Sequence, residues 1–236
     1  MESENREAVR LHHLMAAVGG FLALYAVLAR ADQFGSAQTA NLLFLVEAVI
    51  GHNGFEIAIR LGALAIYGLG VALAVILKAR SLCETRWVSL AIDAAAVVVL
   101  GCLPATGEPV LCLYPMFFAM AFQWNAFPGA AGFKASTIFS TNNYCQCVTG
   151  LTTAVLTHGA DGWARFRFFG GTLLSFHAGA AAAGLLFGTF GVQTVWAALM
   201  PIGAAAWLHG QAARKQAQAD VSATVCPSIT THRRCA

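Results

Sequence analysis

The chain has 236 residues, 58% of them hydrophobic and only 11% charged, with a formal net charge of +3; its mean hydropathy is +0.66. Soluble domains carry about 25% charged residues, so this chain lacks the polar surface that a globule needs in water. The composition excludes a soluble enzyme, a disordered protein and a nucleic-acid binder. It is that of a multi-pass integral membrane protein whose first partner is the lipid bilayer.

Apolar stretches follow one another at 14–29, 38–51, 57–77, 87–103, 109–127, 144–157, 169–188 and 192–208. Most are long enough to cross a hydrocarbon core of ~30 Å. The stretches 38–51 and 144–157 are not, and each follows breakers and polar residues. Asp32, Gly35, Ser36 and Gln38 precede the first; Ser136, Thr137, Ser140, Thr141, Asn142 and Asn143 precede the second. Such lengths predict re-entrant or broken half-helices, whose non-helical backbone survives at membrane depth only under a cover of protein or water. The first stretch reads as a retained helix rather than a signal peptide, because Glu2, Glu4 and Glu7 offset Arg6 and Arg10.

A shift of 109 residues places Gly62 on Gly171, Leu64 on Leu173, Gly70 on Gly179, Ala72 on Ala181 and Trp87 on Trp196. One residue more places Thr39 on Thr149. This order of short and long segments is the mark of an internal duplication. Charge orients the halves, since cytoplasmic loops collect Lys and Arg. Basic residues cluster at Arg6 and Arg10, at Lys78, Arg80 and Arg86, at Arg165 and Arg167, and at Arg214, Lys215, Arg233 and Arg234. All four clusters share one face only if the two short stretches return to the side they entered from. The expected fold is therefore an all-α membrane protein of about six transmembrane helices plus two short re-entrant or broken half-helices, built as two inverted repeats. Residues 1–13 form a cytoplasmic N-terminus, 14–103 the first repeat, 104–108 a linker and 109–208 the second repeat. Residues 209–236 are expected to be a cytoplasmic tail, a short helical extension and then disorder.

Gly20-Phe21, Thr39-Ala40-Asn41, Gln123 with Asn125, and Thr149-Gly150-Leu151-Thr152 resemble the motifs of the YoaK family, bacterial multi-pass membrane proteins of unknown function. The likeness spans residues 14–208. It implies a bacterial inner-membrane location and a repeat, but no reaction. The chain departs from that pattern at Ala23, where the family usually has an acid, at Ala40 in place of Gly, and at Trp124, which separates Gln123 from Asn125.

Half-helix starts carry unpaired N–H groups and partial positive charge. If the two starts face each other, Gln38, Thr39 and Asn41 on one side meet Asn143, Thr149 and Gly150 on the other. With Gln123 and Asn125 they form the expected binding site for a small polar solute, anionic in the version the dipoles favour. The alternative for these residues is capping and interhelical hydrogen bonding. Ionisable residues inside apolar segments are default site hypotheses, so Glu47, Asp93 and His177 are expected to couple protons or ions, with Asp93 and His177 as a relay. The bland alternatives are a surface position for Glu47 and interhelical pairing for the other two.

Cys145-Gln146-Cys147 has no nearby His or acid in sequence, and no phosphate loop, nucleophile elbow or zinc motif is present. No catalytic residue, metal or cofactor is expected, and the chain is not read as an enzyme. The expected function is a small secondary transporter or channel, with a non-transporting membrane scaffold or assembly factor as the alternative. A homo-oligomer is compatible with either.

Overall fold

The computed structural model describes residues 2–225. In chain order its helices are α1 (Glu2–Ala29), α2 (Gln38–Ile50), α3 (Gly54–Ala79), α4 (Thr85–Cys102), α5 (Pro109–Cys112), α6 (Tyr114–Ala126), α7 (Thr141–Thr157), α8 (Ala160–Phe190) and α9 (Leu199–Val225). A two-stranded ribbon, Gly129–Ala130 with Phe133–Lys134, joins α6 to α7, and a 3-10 segment, Gly191–Ala198, joins α8 to α9. Four runs are long and apolar enough to cross a membrane: Asn5–Ala29, Gly54–Ala79, Thr85–Cys102 and Ala160–Gln218. The last is broken where Gly191 takes φ +53°, a conformation that ends a helix. Large apolar side chains point outward from the bundle, Leu156, Leu174 and Leu185 being 76%, 75% and 80% exposed, as lipid-facing positions require.

The helices meet through glycines that let backbones approach closely. α1 and α8 run parallel, with Gly171 against His13, Gly179 against the Ala17 carbonyl and Gly184 against Leu24. α3 and α6 also run parallel, with Gly62 against Tyr114 and Gly70 against the Phe118 carbonyl. Adding 109 to the α3 member and subtracting 101 from the α6 member turns the second set of contacts into the first. α4 runs antiparallel to the 3-10 segment and α9 and meets both: Trp87 lies 3.5 Å from where a Cβ on Gly210 of α9 would stand, and Trp196 of the 3-10 segment closes over Gly101. The short helices pack on the long helices that follow them, α2 on α3 and α7 on α8.

The basic clusters with described side chains gather at one end. Glu7 of α1 pairs with Lys215 of α9, and Glu84 lies 2.7 Å from His209, on which Trp87 also stacks. Asn5 and Val9 share a depression with Arg167 at the start of α8, and Lys78 shares one with Lys134 of the ribbon. Arg233 and Arg234 lie outside the described residues. Two cations sit at the opposite end, and both are committed. Arg60 pairs with Glu56 at 3.0 Å and lies over the Phe44 ring. Arg30, 1% exposed, donates from Nη1 to the carbonyls of Pro104 and Ala105 at 2.8 and 3.3 Å, so it ties the end of α1 to the link after α4. Arg30→Met should lower stability by about 2 kcal/mol, the worth of hydrogen bonds from a charged donor; thermal unfolding in detergent checks this.

Several boundaries differ from expectation. α1 begins at Glu2 rather than 14, because Glu, Arg, Ala and Leu at 2–11 are good helix formers. The stretch 109–127 is split at Leu113, since Pro115 in the first turn of α6 supplies no N–H for a continuous helix. α7 starts at Thr141, three residues before the apolar stretch. The ribbon was not foreseen; Ala131 and Gly132, at φ +54° and +79°, make the primed turn that short hairpins favour. The expected tail remains helical as far as Val225, while 226–236 lie outside the described residues.

Candidate functional site

The feature that sets this bundle apart is its non-helical backbone. After α6 the chain returns as a buried irregular strand in which Ala135, Ser136, Thr137 and Ile138 are at most 5% exposed. The Thr137 carbonyl rests against Gly19 of α1, where any Cβ would collide with it. On the other half, residues 30–37 turn back in the same way, with Gly35 against Met116 of α6 and Ser36 buried. The link 30–37 thus packs on α6, and the strand after α6 packs on α1.

Backbone groups in such a segment need partners, and side chains provide them. Gln123, fully buried, donates from Nε2 to the Thr137 hydroxyl at 2.8 Å and to the Met15 carbonyl at 3.1 Å. One side chain therefore joins α6, the returning strand and α1. Asn143 donates from Nδ2 to the carbonyls of Ser136 and Phe139 at 2.6 and 3.3 Å and accepts from the Ser136 N–H at 3.2 Å. Asn41 does the corresponding work for α2, donating to the Arg60 carbonyl of α3 and to Gln38 Oε1. Of the expected binding residues, Gln123 and Asn143 are brought together, through Thr137 and Ser136. Gln38 and Asn41 form a separate pair on α2.

The other expected residues disperse. α2 packs along α3 and α7 along α8, the long helices that follow them. Thr39 and Thr149 are exposed on the outside of the bundle, and the Thr149 hydroxyl donates to the Cys145 carbonyl of its own helix. Gly150 is a contact residue: a Cβ there would stand 2.6 Å from the Phe166 nitrogen of α8. Asn125 is half-buried, bonded to the Ala121 carbonyl. Glu47 lies on the exposed side of α2. His177 is exposed too, with Nδ1 2.8 Å from the Leu173 carbonyl of its own helix.

Asp93 stands alone among the three. It is fully buried in α4, its Oδ2 accepts from Ser89 at 3.4 Å, and its Oδ1 has no protein partner. Gln123 Oε1 and Thr194 Oγ1 are likewise buried without a partner. Such groups are costly in an apolar interior. Sequence reading missed Thr137, Thr194 and Arg30. A basic residue closing the first apolar stretch could have signalled Arg30; Thr137 was visible only as part of a polar run. Among the described residues no cluster of three or more His, Cys, Asp or Glu is placed to hold a metal.

Long outward-apolar helices enclosing polar backbone and side chains define a helical membrane protein. The chain belongs to the DUF1275 family, described as proteins of unknown function, whose model matches residues 11–208. No curated protein matches, and no solved structure does.

Proposed function

We propose that this protein is a small secondary transporter or channel for a small polar solute, anionic in its favoured version, and that within its family it belongs with the YoaK proteins of the bacterial inner membrane. In this reading six helices cross: α1, α3, α4, the α5–α6 pair, α8 and α9. The links into α2 and α7 are re-entrant, the halves are inverted repeats, and both termini are cytoplasmic. The observation that carries the proposal is the reciprocal packing of the halves. Contacts of α1 with α8 recur between α3 and α6, and α4 meets the 3-10 segment and α9 antiparallel through Trp196 over Gly101 and Trp87 on Gly210. Two copies related in this way and running oppositely bring their non-helical links in from opposite ends, the arrangement on which alternating access operates. The gathering of basic residues at one end supports the orientation.

In this reading Asp93 carries the coupling charge, and Gln123 with Thr137 forms the polar passage. Proteoliposomes tested with acetate, nitrate and sulfate should take up at least one of them about tenfold faster than empty liposomes, and Asp93→Asn should remove most of that excess. Equal rates with and without protein for all three, combined with protection of a cysteine at Thr137 from an impermeant thiol reagent on both faces, would sink the transport reading. A scaffold is the second reading, favoured by the complete burial of Gln123 and Thr137. It predicts that Asp93→Asn changes stability alone.

A further inference from the structure

A depression of about 650 Å³ opens at the basic end, between the last turn of α3, the ribbon and the start of α7. Lys78 and Lys134 line it, and Asn125, Asn142 and Ser136 add polar groups. No carboxylate lines it. Neither lysine has an ion pair among the described residues, in contrast to Lys215, which is paired with Glu7. Asn142 belongs to the first turn of α7, a helix of 17 residues whose N-terminus adds partial positive charge. An oxyanion is the chemistry these groups select.

Position identifies its source. Trp124, 41% exposed, forms one side and lies beside Phe139, ring centroids 6.0 Å apart. A half-exposed Trp next to lysines at a helix end is how chains meet the headgroup layer. The floor is apolar: Ala74 and Val75, the latter 52% exposed, belong to α3, and Val71, half-buried, continues their face one turn back along the helix. A soluble oxyanion would use the lysines and waste that apolar strip. We infer that this depression holds the phosphate headgroup of an anionic phospholipid from the basic-side leaflet, with its acyl chains along α3. The inference does not depend on transport.

Native mass spectrometry of the full-length protein, titrated in detergent with phosphatidylglycerol or phosphatidylcholine, tests it. Phosphatidylglycerol should bind clearly more tightly, and Lys78→Gln with Lys134→Gln should weaken it about 30-fold, each lysine near an anionic lipid contributing about fivefold. Phosphatidylcholine binding should not change, and Lys215→Gln should leave both lipids unaffected. Lys134→Gln alone, in the exposed ribbon, should lose about fivefold, which keeps the test available if the double variant does not fold. Inorganic phosphate in large excess should fail to displace phosphatidylglycerol. Equal binding of the two lipids, or unchanged phosphatidylglycerol binding in either folded variant, would overturn the assignment. Displacement by inorganic phosphate would overturn it too, and would give the depression to a soluble oxyanion.

Discussion

Gly179→Val is expected to abolish recovery of folded protein, and Gly20→Val to do the same. A Cβ at residue 179 would coincide with the Ala17 carbonyl oxygen of α1, and one at residue 20 with the Phe176 carbonyl oxygen of α8. The obstacles are backbone atoms in two long helices, so no rotamer change relieves them. Overpacking that must move a helix costs about 3 kcal/mol or more, a large share of the stability of a chain this size. Because α1 and α8 make the most extensive helix contact of the bundle, the damage cannot stay local. Gly70→Val meets the Phe118 carbonyl 2.6 Å away and the Ala121 methyl, so the matching contact in the other pair should fail in the same way. Gly188→Val is the control, since nothing lies within 4 Å of that position; Val is a better helix former than Gly, so it should leave stability unchanged or raise it by about 0.3 kcal/mol. Size-exclusion profiles and unfolding temperatures in detergent check all four. A monodisperse Gly179→Val variant with an unchanged unfolding temperature would show that α1 and α8 do not approach as described.

Asn143→Ala should release the returning strand, and Gln123→Leu should do so from the other side. The first removes three hydrogen bonds to Ser136 and Phe139; the second removes the partner of the Thr137 hydroxyl and the bond that ties α6 to the Met15 carbonyl of α1. Buried groups left unpaired cost about 1–3 kcal/mol each, so each variant should lose about 2–3 kcal/mol. The two side chains grip adjacent residues of one segment. Their effects should therefore be non-additive by at least about 0.5 kcal/mol in a double-mutant cycle. A single cysteine at Ile138, fully buried in the parent protein, should become open to thiol reagents in either variant, in a background without the seven native cysteines. Strictly additive losses with Ile138 still protected would mean that packing on Gly19 alone holds the strand.

These two predictions draw on different layers of information. The glycines at 62, 70, 171 and 179 and the tryptophans at 87 and 196 stand out in the chain because their spacing repeats, and the same residues make the reciprocal contacts. The short segments were legible as well, 38–51 becoming Gln38–Ile50 and 144–157 becoming Thr141–Thr157. Length and apolar content determine what can span a membrane, and both are local quantities. Arg30 and Lys134 escaped notice because a basic residue outside a cluster reads the same whether it is buried, paired or free.

Partnership is what the sequence could not determine. Thr39 lies in the first turn of α2 and Thr149 in the middle of α7, and both are exposed, because the rotation of a short helix about its axis is decided by the long helix it packs on. Asn143 and Gln123 are expected from the sequence among the solute ligands, and the structure shows what the sequence could not, that they bond to the strand through Ser136 and Thr137. His177 and Asp93 lie in comparable apolar stretches, and only packing sends one to the exterior and the other to the core. By itself the sequence determined the membrane class, the helical segments and the duplicated spacing, since each follows from hydropathy and order along the chain. Only the tertiary structure decided which polar groups meet, because hydrogen bonds between Met15, Gln123 and Thr137 span 108 residues of chain and exist only once α1, α6 and the returning strand are packed together.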